Sequence, residues 1–73
     1  PHTITCIIDS IDEDEKLLSA GVTIVVDREN LKKILIGKNG SMLKEIGTKA
    51  RIDLEEYFNK KVFLSLYVKV IKN

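Results

Sequence analysis

At Asp27 the spacing of apolar residues changes from every second position to every third or fourth, and at Val62 it changes back. Strands place alternate side chains on opposite faces, and helices bring every third and fourth residue to one face. The chain therefore reads as strands, then helices, then a strand. Thr3 to Ile11 is rich in β-branched residues, with Ile4, Cys6 and Ile8 on one face. Asp12 to Lys16 reads as a solvated hairpin loop. Leu17 to Asp27 alternates again, and its apolar density suggests a central strand. Asp27 or Asn30 is placed to cap a first short helix carrying Leu31, Ile34 and Leu35. A second helix is expected from Ser41 to Phe58, with Leu43, Ile46, Ala50, Leu54 and Phe58 in one stripe. Val62 to Ile71 closes the chain, with Val62, Leu64, Leu66, Val68 and Val70 inward.

A helical crossover of this length between two strands makes them parallel, and the hairpin adds the first strand antiparallel to the second. The expected class is α+β: β-β-α-α-β, a three-stranded mixed sheet with helices on one face. At 73 residues there is one domain and no second core. A single cysteine excludes an internal disulfide and fits a reducing compartment. No apolar run reaches the roughly 20 residues of a membrane helix, and no signal peptide is legible. The start at Pro1 suggests a piece of a longer protein.

The net charge of +1 conceals an asymmetry. Residues 1–27 hold six acids against Lys16, and residues 32–51 hold six bases against Glu45. A basic pole of this kind attracts phosphates, although lysine-rich helix surfaces often serve only solubility. Between the two helices stands Gly37-Lys38-Asn39-Gly40. Its glycines permit positive φ and leave no Cβ between the loop and a ligand. The loop opens onto a helix N-terminus, where free N–H groups and the dipole favour anions. Lys38 adds a mobile charge and Asn39 both donors and acceptors. By itself a GxxG tetrad is weak, and its bland reading is a helix-helix turn.

Context decides the reading. A GxxG loop between a short apolar helix and a longer one, inside a β-β-α-α-β chain, resembles the KH domain, whose loop grips about four nucleotides of single-stranded RNA. The resemblance is closest to the Era family of ribosome-assembly GTPases. It is carried by Pro1 to Ile4, by Val25 to Glu29, by the run Ile36 to Arg51 and by the ending Lys60 to Val70. It implies a type II KH domain that binds the single-stranded 3′ end of small-subunit ribosomal RNA, in the cytoplasm or an organelle, in association with the small ribosomal subunit. It further implies a GTPase domain upstream that holds GTP and Mg, neither of which this chain should bind. Another helix ordinarily precedes the first strand of such domains. This chain lacks it, so part of the helix-facing core is expected to be uncovered or completed by other protein.

The expected RNA-binding residues are Ile36, Gly37, Lys38, Asn39, Gly40, Ser41, Met42, Lys44 and Arg51. Lys44 and Arg51 lie seven apart and can both track phosphate, whereas solvation suffices for Lys32, Lys33 and Lys49. Met42 borders the groove or packs in the core. Gly47 sits inside the second helix, where it costs about 1 kcal/mol relative to Ala, and a close neighbouring backbone is the simplest compensation. Cys6 reads as a small buried hydrophobe. Phe63 and Tyr67, on the outward strand face, fit packing against another segment better than base stacking.

Other chemistry fails. A P-loop needs Gly where Lys32 stands and Ser or Thr where Asn39 stands. One His and one Cys supply no zinc set. Asp12 to Glu15 lacks the turn glycine and spaced ligands of a calcium loop. The chain is expected to have no catalytic site. The alternatives to an Era-type RNA-binding module are a KH fold used as a protein-interaction platform and a KH domain of another RNA-associated protein. A lysine between two glycines favours RNA.

Overall fold

The computed structural model describes residues 4–72. Strands β1 (Ile4–Glu13) and β2 (Leu17–Val26) form a hairpin, followed by α1 (Glu29–Ile36), a 3₁₀ turn (Lys38–Gly40), α2 (Ser41–Phe58) and β3 (Lys61–Val70). The sheet order is β1-β2-β3, with β1 antiparallel and β3 parallel to β2. The α+β architecture is the expected one, and β2 is the central strand.

Register assigns the faces. Leu18, Ala20, Val22, Ile24 and Val26 of β2 pair with Val62, Leu64, Leu66, Val68 and Val70 of β3, so these side chains share the helix-bearing face. Leu18, Ile24, Val26 and Val62 are buried there. On β1, Ile8 pairs with Val22 and Ser10 with Gly21, which leaves Asp9 as the extra residue of a bulge. The bulge resets the alternation. Ile8 and Ile11, an odd number apart, consequently face the same side as Val22 and Ala20.

The helices pack over β3 and β2 and leave the β1 side open. All of β1 is exposed, Cys6 included, which corrects the expectation of a buried thiol. Alternation marked the correct face, but nothing among the described residues lies on it. Ile8, Ile11, Leu54 and Phe58 line an open apolar groove of about 390 Å³ beside the end of α2. The expected uncovered stretch of helix-facing core falls here.

Several details differ from expectation, and β2 ends at Val26 while β3 runs from Lys61 to Val70. β1 runs on to Glu13, so the hairpin loop shortens to residues 14–16; Asp14 closes it by accepting the Lys16 and Leu17 amide N–H groups at Oδ1, both at 2.8 Å. Thr3 lies outside the described residues. Neither Asp27 nor Asn30 caps α1: the N-cap is Arg28, in extended conformation, with no side-chain cap. Asp27 precedes that position, and Asn30 is already inside the helix. Ile34 is 65% exposed and leaves the apolar face to Leu31 and Leu35. No residue of α1 is buried, and Leu31 and Leu35 are only half-covered.

The far end is tied together by polar contacts. Asn59, at φ 54°, ends α2 in the left-handed conformation, its N–H donating to the Glu55 carbonyl at 2.9 Å. Lys60 Nζ then donates to Glu13 Oε2 at 2.7 Å and to the Asp14 carbonyl at 2.9 Å. These bonds join the α2–β3 turn to the hairpin.

Candidate nucleic-acid interface

The junction Gly37 to Gly40 is a tight turn made by three residues with positive φ: Gly37 at 74°, Asn39 at 56° and Gly40 at 76°. Gly37 caps α1 through its N–H to the Lys33 carbonyl at 2.9 Å, and Gly40 N–H donates to the Gly37 carbonyl at 3.3 Å. Asn tolerates the left-handed region better than most residues, so Asn39 has a backbone task besides any polar one. Spacing alone pointed only to its side chain.

The two glycines differ in surroundings. A Cβ on Gly37 would lie 2.7 Å from Met42 Cβ and 2.9 Å from the Met42 nitrogen. Gly37 therefore lets the first turn of α2 fold against the loop. A Cβ on Gly40 would meet nothing within 4 Å. Gly40 keeps its backbone open to whatever approaches. Met42 is 43% exposed, with only its Cβ close to Gly37, which corrects the core-packing alternative considered for it.

α2 begins at Ser41 with Gly40 as N-cap, no capping side chain and no acid in its first turn. Its positive dipole end is thus left uncompensated by protein charge. Lys38 stands in the turn and Lys44 one turn along, and neither has an ion pair among the described residues. Lys49, by contrast, pairs with Glu45 at 3.6 Å.

Beside the loop a groove of about 390 Å³ runs between α2 and β3, lined by Gly40, Leu43, Lys44, Gly47, Thr48, Arg51, Leu64 and Leu66. Its floor is apolar and its helix wall basic. Thr48 turns its hydroxyl onto the Lys44 carbonyl at 2.9 Å. Gly47 is explained differently from expectation: the close neighbour is a side chain, with Leu66 Cδ1 3.3 Å from the position of a Cβ. Arg51 is engaged. Its Nη1 donates to Glu55 Oε1 at 3.1 Å, while Glu55 Oε2 accepts the Val62 N–H at 3.1 Å. This links the basic wall to the start of β3 and leaves the other guanidinium donors available.

The structure thus gathers Gly37, Lys38, Asn39, Gly40, Ser41 and Met42 in the turn, with Lys44 and Arg51 on the groove wall. Ile36 is half-buried at the end of α1. Leu43, Gly47, Thr48, Leu64 and Leu66 were not among the expected site residues. The helix stripe and strand alternation had marked Leu43, Leu64 and Leu66 as core, and only the tertiary fold shows them flooring an open groove. Among the described residues no cluster of three or more His, Cys, Asp or Glu side chains is placed to hold a metal. No helix of the structure is long and apolar enough to cross a membrane.

Comparison with known proteins agrees with this architecture. GTPase Era of Syntrophus aciditrophicus (strain SB) is 45% identical over 75 residues, covering 100% of this chain and 24% of that protein. The crystal structure of an Era variant of Aquifex aeolicus bound to GDP and AlF4⁻ superposes with a TM-score of 0.89 at 44% identity, over 96% of this chain and 24% of that one. A crystal structure of Era with MgGDPNP and nucleotides 1506–1542 of 16S ribosomal RNA gives the same TM-score, identity and coverage. The chain therefore spans about a quarter of the length of these relatives. The KH domain model matches residues 1–73, and with the whole chain so matched it belongs to the KH domain family.

Proposed function

We propose that the domain binds single-stranded RNA, with the Gly37–Gly40 turn and the α2 N-terminus holding the sugar-phosphate strand and the α2–β3 groove receiving bases. The carrying observation is the open, left-handed Gly40 at the mouth of a groove whose floor is apolar and whose wall bears Lys44 and Arg51. Phosphates favour uncapped N–H groups and mobile cations, and bases favour apolar walls. Lys38, Asn39 and Ser41 meet the backbone, and Ile36 and Met42 border the bases.

The relative solved with nucleotides 1506–1542 of 16S ribosomal RNA supports the 3′ end of small-subunit ribosomal RNA as the target. On this reading residues 1–73 are the RNA-binding domain of a longer Era-like chain that acts at the small ribosomal subunit in the cytoplasm. GTP and Mg belong to its GTPase domain, outside these residues, and this domain contributes recognition and no catalysis.

Replacing Lys38 and Asn39 together by Asp tests the reading. Anisotropy with a labelled oligoribonucleotide of the 16S 3′ end should show binding abolished while circular dichroism stays unchanged. Unchanged affinity would reject the role given to the loop.

A further inference from the structure

The polar side chains of the α2–β3 groove are not equivalent. Lys44, Thr48 and Arg51 are the polar members of its lining, and the Thr48 hydroxyl is bonded to the Lys44 carbonyl at 2.9 Å. Lys44 has no ion pair among the described residues and acts as a mobile point charge. Arg51, seven residues and about 10 Å further along the helix, is held in place. Glu55, which stands outside the lining, accepts from its Nη1 at Oε1, 3.1 Å away, and accepts the Val62 N–H at Oε2, also at 3.1 Å. Val62 is 2% exposed and paired with Leu18 in the sheet, so the carboxylate is anchored to a buried strand. A carboxylate fastened at both oxygens restricts where the guanidinium can turn.

We propose that Glu55 positions Arg51 to read a base edge carrying two adjacent acceptors, and that Arg51 does not hold a phosphate. The inference rests on the RNA-binding reading above. Glu55 offsets the guanidinium charge, and an arriving phosphate would meet the carboxylate as well as the cation. A neutral base edge meets no such repulsion. With one N–H of Nη1 engaged, the remaining donors of the planar fork suffice for a two-point contact. Unpaired bases expose their Watson–Crick and Hoogsteen edges. Guanine offers O6 beside N7, and cytosine offers O2 beside N3; adenine and uracil present no two acceptors side by side. Guanine or cytosine should therefore be preferred at the end of the groove away from the turn. Lys44, nearer the turn, keeps the phosphate role.

Anisotropy with labelled pentacytidylate and pentauridylate, pyrimidines of one size, tests this. The chain should prefer pentacytidylate about tenfold. Arg51→Gln should cut that preference below about twofold without changing the salt slope, whereas Lys44→Gln should reduce the slope by about 0.7 and keep the preference. Arg51→Lys keeps the charge but not the fork, and the preference should again be lost. Glu55→Gln retains an acceptor for Val62 and releases Arg51. The preference should then fall about threefold and the slope steepen by about 0.7, because the freed guanidinium takes a phosphate. Equal weakening of both oligomers in Glu55→Gln, with the slope unmoved, would overturn the proposal and leave Glu55 a structural role alone. So would a slope reduced in Arg51→Gln with the preference intact, which would make Arg51 a phosphate contact. Equal wild-type affinity for the two oligomers would overturn this inference while RNA binding stands. Binding of no oligoribonucleotide, the 16S 3′ end included, would overturn both.

Discussion

Gly47 of α2 faces Leu66 of β3 so closely that a Cβ on the glycine would lie 3.3 Å from Leu66 Cδ1. Both residues line the groove beside the Gly37–Gly40 turn. The helix forgoes about 1 kcal/mol of propensity at this position. In return β3 approaches the helix, and the groove keeps its depth.

Gly47→Ala should therefore separate stability from binding. The gain in helix propensity offsets a contact that Leu66 relieves by shifting a few tenths of an ångström, so unfolding free energy should change by less than about 1 kcal/mol. The methyl and the displaced Leu66 intrude on the groove, and oligoribonucleotide affinity should fall several-fold. Urea denaturation and anisotropy measure the two effects. Intact affinity would show that nothing enters the groove at this depth.

The turn glycines should respond differently to alanine. At Gly37 a methyl meets positive φ and the Met42 Cβ at 2.7 Å together, so Gly37→Ala should destabilise by about 2–3 kcal/mol. At Gly40 only the backbone conformation resists, and about 1 kcal/mol is expected. Binding should nevertheless suffer in Gly40→Ala, since the methyl fills the open side of the loop. Equal destabilisation of the two variants in thermal melts would contradict this asymmetry.

Glu55 holds Arg51 with one oxygen and the Val62 amide with the other. Glu55→Ala leaves the N–H of a buried residue without its partner and should cost about 1–2 kcal/mol. Glu55→Gln keeps an acceptor for Val62 and loses only a partly exposed ion pair, so about 0.5 kcal/mol is expected. Denaturation midpoints of the two variants report the difference.

The hairpin carries a pH dependence. The Lys16 and Leu17 amides donating to Asp14, with Lys60 nearby, hold its carboxyl below the usual aspartate range. A carboxyl depressed in the folded state stabilises it above the unfolded pKa and loses that contribution as pH falls through the folded value. Lys16 and Leu17 amide protection should be steady near neutrality and decline below about pH 4. Asp14→Asn should remove the dependence in hydrogen exchange.

Contact with about four phosphates predicts a shallow salt dependence, a slope near −3 in log K against log salt concentration. Titrations between low and physiological salt supply the slope. A value near zero would exclude a grip on the backbone.

Much of this protein was legible locally. The periodicity of residues 41–58 placed α2 with its observed ends, and two glycines three apart located the turn between the helices. Such features depend on neighbours within a few positions, where φ/ψ preference and apolar spacing act directly. Cys6 and Ile34 show the limit: spacing identified the face of Cys6 and misplaced Ile34, because whether a position is covered depends on elements distant in sequence.

What the amino-acid order determined alone was the succession of strands and helices, the left-handed turn and the segregation of acid from base. Tertiary structure decided the rest. It set Leu66 against Gly47, tied Arg51 through Glu55 to β3, and used a bulge at Asp9 to keep Ile8 and Ile11 on one side. The reason is physical: backbone preference acts over a turn, whereas a groove exists only where two non-adjacent surfaces approach and leave space between them.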